Sequence, residues 1–215
     1  KVIFQAPTIA QFAELLHSGA AVAVNEHLSL VQPLGDRLPF FCVNGDEANY
    51  FLPKYMGNDM PFYAFFHQGE DGLPMRYTSV ETIAARFIQE MKNVRPRGPY
   101  LLGGYSFGGI VAYEMACQLM EAGDEVPMLA LFDTYAPTLY LELTKEEQRV
   151  YDPLKRVIMR RLVKLEQRRG RITNPKLRHF HIIDTYDRAV MAYTPKPYKG
   201  RLTMFKASGS PGADE

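Results

Sequence analysis

Apolar residues recur along this chain with more than one period. Ile9, Phe12, Ala13 and Leu16 fall on one helical face, and Thr8 followed by Gln11 has the form of a capping box. This predicts a short amphipathic helix, too short to be stable alone. Residues 18–25 are small and weakly patterned and read as a linker. From His27 the period shortens. Leu28–Val31 is a strand candidate, and Gly35-Asp36 is a turn signal. Phe40-Phe41-Cys42-Val43 and Phe62–Phe66 are continuous apolar runs, as in strands buried on both faces of a parallel sheet. Val80, Ile83, Ala84, Phe87, Ile88 and Met91 then step at helical spacing, with Thr78 and Glu81 placed as a capping box. A strand is expected at Tyr100–Gly104, a helix from about Ile110 to Ala122, and a strand at Met128–Phe132. Strand, helix, strand, helix, strand at this spacing predicts a parallel α/β sheet with right-handed crossovers.

The alternation stops near residue 140. Residues from about 140 to 193 read as helices without intervening strands. Val150, Leu154, Val157, Ile158, Leu162 and Leu165 form an apolar stripe, expected to pack in the core or against a second copy. Gly200–Ala207 reads as one more strand, and residues 208–215 have a loop composition.

Charge sharpens this picture in one place. The chain of 215 residues carries 25 basic and 24 acidic groups, a net of +1, which excludes a strongly basic nucleic-acid binder. Pro153–Arg178, however, holds ten Lys or Arg and one Glu, a local net of +9. That basic face reads as a solvated surface or as a docking site for an acidic or phosphate-bearing partner. No run approaches about 18 consecutive apolar residues, so no membrane span is expected. The start lacks a charged-then-apolar leader pattern, which points to the cytoplasm. The 2 cysteines, Cys42 and Cys117, lie in apolar segments and read as buried free thiols.

The sharpest chemical signal is Gly104-Tyr105-Ser106-Phe107-Gly108-Gly109, a G-x-S-x-G between an apolar strand and an amphipathic helix. So tight a turn holds serine in a strained backbone conformation and leaves no room for side chains two residues away. Ser106 is the candidate nucleophile; the plainer alternative is a Gly-rich turn. Serine needs a base, and the base needs an orienting acid. Asp133 stands at the C-terminal end of the next strand, where functional groups of a parallel sheet collect, though Asp also caps turns there. An oxyanion hole needs two backbone N–H groups. Phe107 offers one, and the loop Asn44-Gly45-Asp46-Glu47-Ala48 offers the other.

Residues from about 27 to 207 resemble the thioesterase domain that ends modular polyketide synthases and nonribosomal peptide synthetases, an α/β-hydrolase relative. Pro39–Val43, Gly98–Gly109, Leu129–Asp133 and Tyr193–Phe205 carry the resemblance. It implies an α/β-hydrolase fold with a mostly parallel sheet, flanking helices and a helical lid at about 140–193. It implies Asp133 as the triad acid and the amide of Asp46 as the second oxyanion donor. The opening Ala6–Phe12 is similar to the last helix of an acyl or peptidyl carrier domain. The expected organisation is a carrier tail at 1–18, a linker at 19–26 and a thioesterase domain at 27–215.

The implied function is release of an acyl or peptidyl chain from a carrier in cis, by hydrolysis or cyclisation through a Ser106 acyl-enzyme. The substrate would be an acyl thioester on a 4'-phosphopantetheine arm. No cofactor or metal of the domain's own, no nucleic acid and no membrane partner is expected; a homodimer through the lid is one option. An esterase or lipase acting on free esters, and a non-catalytic scaffold, are the alternatives. The oxyanion loop is more acidic than the family pattern. The family's base histidine follows a position beyond Ala207, and the 5 histidines here are His17, His27, His67, His179 and His181. His67 is expected on the other side of the fold, and His179 and His181 in the lid. The sequence therefore reads as C-terminally incomplete, with the base beyond residue 215.

Overall fold

The structure is a computed structural model that describes residues 25–43, 48–137, 139 and 153–208, with Thr8 and Ala10 as isolated positions. The expected carrier-derived helix and nearly all of its linker lie outside the described residues.

Six strands form one sheet: β1 (Leu28–Gln32), β2 (Phe40–Val43), β3 (Phe62–Phe65), β4 (Leu101–Tyr105), β5 (Met128–Phe132) and β6 (Leu202–Phe205). Their spatial order is β1-β3-β2-β4-β5-β6. β1 runs antiparallel to β3, and every other pairing is parallel. Helices α1 (Ala48–Met56), α2 (Val80–Val94) and α3 (Phe107–Glu121) make the crossovers, and α4 (Pro153–Arg168) and α5 (Pro175–Ala192) form the helical insertion before β6. This is the mostly parallel α/β sheet that the alternation predicts, in the α/β-hydrolase arrangement that the resemblance implies.

Burial on both faces explains the uninterrupted apolar strands. Along β2, Phe41 and Val43 pack into the cluster under α2 and α3, while Phe40 and Cys42 enter the opposite cluster with Phe62, Ala64 and, from α1, Leu52 and Met56. The period of two persists, but both phases are apolar. The predicted stripe of α2 is realised: Val80, Ile83, Ala84, Phe87 and Met91 are fully buried, and Phe87 stacks on Phe65 at 4.5 Å between ring centroids. The cap differs by one residue from expectation. Ser79, not Thr78, is the N-cap; its hydroxyl accepts from the Thr82 amide, and Thr82 Oγ1 accepts from the Ser79 amide. Helix α1 goes unpredicted, because Pro53 lies inside it and Phe51 and Tyr55 point outward, which blurs its period.

The apolar stripe of the insertion departs furthest from expectation. Val157, Ile158, Leu162 and Leu165 are 43–49% exposed and do not form core. The inner face of α4 is instead Arg156, Met159, Arg160 and Val163. Arg156 donates to Asp187 at 3.1 Å, and Arg160 grips both oxygens of Asp184. Asp184 and Asp187 are buried, and a buried carboxylate stripped of its cation is costly, so these pairs set the rotation of α4. Val150 lies outside the described residues. No helix among the described residues is long and apolar enough to cross a membrane.

The start of β1 is tied to α2 through Glu90, which is 1% exposed. Its carboxylate accepts from the His27 and Leu28 amides at 2.9 and 3.0 Å, bonds His27 Nδ1 at 2.6 Å, and accepts from Arg86 Nε at 3.1 Å. Glu26, His27 and Glu90 bring possible metal-ligand atoms within 4.8 Å, but these bonds already satisfy the cluster as an ion-pair network.

Burial disfavours the charged form of Glu90, but hydrogen bonds from the His27 ring and amide, with the His27 and Arg86 charges, outweigh it and hold the carboxyl below its ordinary 4.5. A depressed folded value stabilises the fold fully above the unfolded value, and that stability is lost as pH falls through the folded one. Denaturant midpoints should therefore drop as pH falls below about 4.5, the ordinary glutamate value, and Glu90→Gln should flatten that slope. Glu90→Ala strands two amides and should cost on the order of 3 kcal/mol at neutral pH.

Candidate active site

β4 ends at Tyr105 and α3 begins at Phe107, so Ser106 alone makes the turn. Its φ is 52° and its ψ −122°, a region that costs about 1–3 kcal/mol for a residue with a side chain. The surroundings enforce it. The Ser106 amide donates to the Phe132 carbonyl at 2.9 Å, and its carbonyl accepts from the Gly109 amide at 3.0 Å. A Cβ on Gly104 would lie 2.2 Å from the Gly108 carbonyl oxygen, and one on Gly109 would lie 1.8 Å from Thr134 Oγ1. The strand thus touches the helix it feeds without intervening side chains. The Ser106 hydroxyl makes no capping bond to α3, so the helix does not consume it.

Asp133 follows β5 as Ser106 follows β4. Tyr105 and Phe132 are register partners, so Ser106 and Asp133 leave neighbouring parallel strands, about 4.8 Å apart, at the same level. Asp133 has the other positive φ among non-glycine residues described, 42°. Its amide donates to the Phe205 carbonyl, and its Oδ1 accepts from the Ala207 amide at 2.8 Å. Phe132 and Phe205 stack at 5.0 Å directly before these bonds. The aspartate is therefore held between the ends of β4 and β6.

Phe107 is the first residue of α3, and its amide is one of the helix-start donors that no intrahelical carbonyl can satisfy. These donors and the helix dipole favour negative charge beside Ser106. The Phe107 ring is buried and stacks on Tyr186 of α5 at 4.1 Å. Asp46 lies outside the described residues, as does its loop from Asn44 to Glu47.

His67 corrects an expectation. It follows β3, which runs parallel to β4 two places across the sheet, so it stands at the same edge as Ser106 and not on the other side of the fold. Its Nδ1 lies 3.3 Å from the Tyr186 hydroxyl, which also accepts from the Gln68 amide. Tyr186 thereby links His67 to the residue after Ser106. Nothing in the local sequence marks Tyr186, because its partners lie about 80 and 119 residues away. Thr134, whose methyl and hydroxyl crowd Gly109, is marked in the sequence only by its place next to Asp133. His27 is engaged by Glu90, and His181 Nε2 lies 3.1 Å from Gln167. Burial, then the Arg188 charge, pushes the His181 imidazole below its ordinary value.

Two cavities flank this edge. One of about 450 Å³ is lined by His27, His67, Gln68, Asp71 and Met75 and does not include Ser106 or Asp133. A smaller apolar cleft of about 240 Å³ lies against the turn itself, lined by Gly109, Ile110, Leu131, Thr134, Tyr135 and Met204. Cys42 and Cys117 are free and buried, as expected. Burial pushes their thiols up to about 12 and about 11, far from thiolate chemistry.

Comparison with known proteins agrees with this fold. The thioesterase domain family model matches residues 55–190. The chain is 38% identical over 141 residues to malpibaldin synthetase of Mortierella alpina, covering 62% of this chain and 2% of that protein. It is 35% identical over 137 residues to a dimodular nonribosomal peptide synthase of Bacillus subtilis strain 168, covering 62% of this chain and 6% of that one. Among solved structures, the NocB thioesterase domain from the nocardicin cluster superposes with a TM-score of 0.61 at 23% identity, over 84% of this chain and 75% of that one. The chain belongs to the thioesterase domain family, and it spans only a few per cent of the length of these synthetase relatives.

The packing at the turn predicts a steep contrast between glycines. Gly104→Ala should cost about 4 kcal/mol or more, since backbone must move to admit the methyl. Gly123→Ala, at φ +84° but with nothing within 4 Å, should cost about 1–2 kcal/mol from backbone strain alone. Urea denaturation of the two variants measures both.

Proposed function

We propose that this domain releases an acyl or peptidyl chain from a carrier-bound thioester through an acyl-enzyme on Ser106. The observation that carries the reading is the placement of Ser106. Its backbone is strained, its hydroxyl is not spent on capping, and it stands beside Asp133 at the C-terminal edge of the sheet.

In the first step Ser106 Oγ attacks the thioester carbonyl. An imidazole takes the hydroxyl proton and passes it to the departing thiol as the carbon–sulfur bond breaks. Asp133 orients that imidazole and stabilises its charged form. The role is not assigned to His27 or His181, which are engaged elsewhere. The amides of Phe107 and Asp46 bind the oxyanion of the tetrahedral intermediate, each worth roughly 3–4 kcal/mol. Water, or a hydroxyl or amine of the chain itself, then attacks the ester on Ser106 and frees the product. The substrate arrives on a 4'-phosphopantetheine arm of a carrier domain in cis, in keeping with the synthetase relatives. The chemistry uses no further cofactor.

The test is labelling by a fluorophosphonate probe, read by intact mass, on the full-length protein. One adduct is expected, and Ser106→Ala should abolish it while the circular dichroism spectrum is retained. An adduct that persists in Ser106→Ala would overturn the assignment. Asp133→Asn preserves a side chain that tolerates positive φ and removes the charge. It should cut turnover of a carrier-bound thioester about 10³–10⁴-fold without loss of stability. A free ester turned over faster than the carrier thioester would favour a general esterase.

A further inference from the structure

This inference rests on the reading of Ser106 as the acyl-bearing residue and concerns the far end of the acyl or peptidyl chain it would carry. Leu28, Phe65, Val43 and Gly104 form one row of register partners across four strands. His27 stands one residue past that row and Ser106 two, on the same edge, three strand spacings or about 14 Å apart. The contacts from Phe107 to Tyr186 and from Tyr186 to His67 lead from the serine turn to the cavity of about 450 Å³, which His67 and His27 both line.

His27 is 5% exposed, and its ring lies against Phe87 and Tyr77, at 5.6 and 6.4 Å between centroids. Nδ1 faces the Glu90 carboxylate at 2.6 Å. An ionised carboxylate can only accept, so Nδ1 carries the proton, and in the neutral ring Nε2 is an acceptor. Nε2 meets no protein partner among the described residues, while the ring lines the cavity. Glu70 and Asp71 line the same cavity, and neither takes part in an ion pair among the described residues. Their loop is pinned. The Gln68 side chain accepts from the Tyr77 amide and donates to its carbonyl, and the Gly72 carbonyl accepts from the Ile172 amide at 2.8 Å. Arg76 also lines the cavity, and Glu26 on its wall is paired with Arg86. Carboxylates therefore outnumber cations on this lining.

A buried acceptor beside carboxylates suits a ligand that donates hydrogen bonds and carries positive charge. A divalent metal ion suits the cavity less well, because Glu26 and Glu90 share Arg86 and Glu90 also holds two amides. An ammonium offers three donors and a single charge. At about 3.3–3.6 Å per extended residue, about four residues span the distance from Ser106. We propose that this cavity binds a primary ammonium carried by the acyl or peptidyl chain about four residues from its thioester. His27 Nε2 accepts one N–H, and Glu70 and Asp71 supply the countercharge. The domain thereby selects its substrate by an amine at the far end.

The test uses the full-length protein carrying Ser106→Ala, so that binding is read without turnover. Isothermal calorimetry compares two non-cleavable ligands, pantetheine amides of a tri-alanyl chain capped by 4-aminobutyryl or by pentanoyl. The caps differ only by an ammonium in place of a methyl. The amine ligand should bind about tenfold more tightly. His27→Asn keeps a donor for Glu90 and removes Nε2. Glu70→Gln with Asp71→Asn removes the charge and keeps the acceptor for the Leu73 amide. Each should shrink the preference severalfold and leave the pentanoyl ligand unchanged, a split that a folding defect cannot produce. Shortening the tri-alanyl chain to one alanine should abolish the preference. Equal binding of the two caps, binding of neither, or a preference that survives both variants would overturn the proposal. So would butylammonium alone binding as tightly as the capped chain, which would assign the cavity to a free amine. Absence of the fluorophosphonate adduct on the protein with Ser106 intact would instead overturn the acyl-enzyme reading.

Discussion

The contact between β4 and α3 is the constraint on which the candidate site depends. A strand can hand over to a helix in one residue only if the two backbones meet without side chains between them. Gly104 against Gly108, and Gly109 against Thr134, provide that approach. Ser106 then has no choice but a positive φ, and its amide and carbonyl are bonded to Phe132 and Gly109. The strain is a fraction of what the packing supplies, since α3 buries Ile110, Val111, Met115 and Leu119 on the same core that holds α2. A well-buried helix can keep a poor backbone conformation at its start.

The same core decides where the second residue stands. Asp133 takes its position from the register of β5 on β4 and from β6, whose carbonyl at Phe205 and amide at Ala207 hold the aspartate from its outer side. The site is therefore a product of sheet order. It joins groups 27 residues apart in the chain and secures one of them with a bond from 74 residues further on. The helical insertion is joined to this edge through Tyr186, whose ring lies on Phe107 and whose hydroxyl meets His67.

Within the insertion, electrostatics overrides hydrophobic periodicity. A stripe of Leu, Ile and Val normally turns toward the core, and exposing each such side chain forgoes about 1.5–3 kcal/mol. Here α5 carries Asp184 and Asp187 on its buried side. They draw Arg156 and Arg160 inward and leave the aliphatic ridge outside. The rotation of one helix is set by charges on another, and its own pattern of apolar residues does not contain that information.

Local pattern was enough to determine much of this protein. Continuous apolar runs, one amphipathic helix and a Gly-framed serine specified a parallel α/β sheet with Ser106 at a strand end and Asp133 at the next. Each of those signals arises from contacts within a few residues or from a face buried along its whole length. Tertiary structure alone decided the rest. It placed His67 at the same edge as Ser106, because β3 runs parallel to β2 and β4. It revealed α1, whose internal Pro53 and outward aromatics hide its period. It turned α4 inside out, because a buried carboxylate requires its cation more strongly than an aliphatic side chain requires cover, and only the fold brings that carboxylate to the helix.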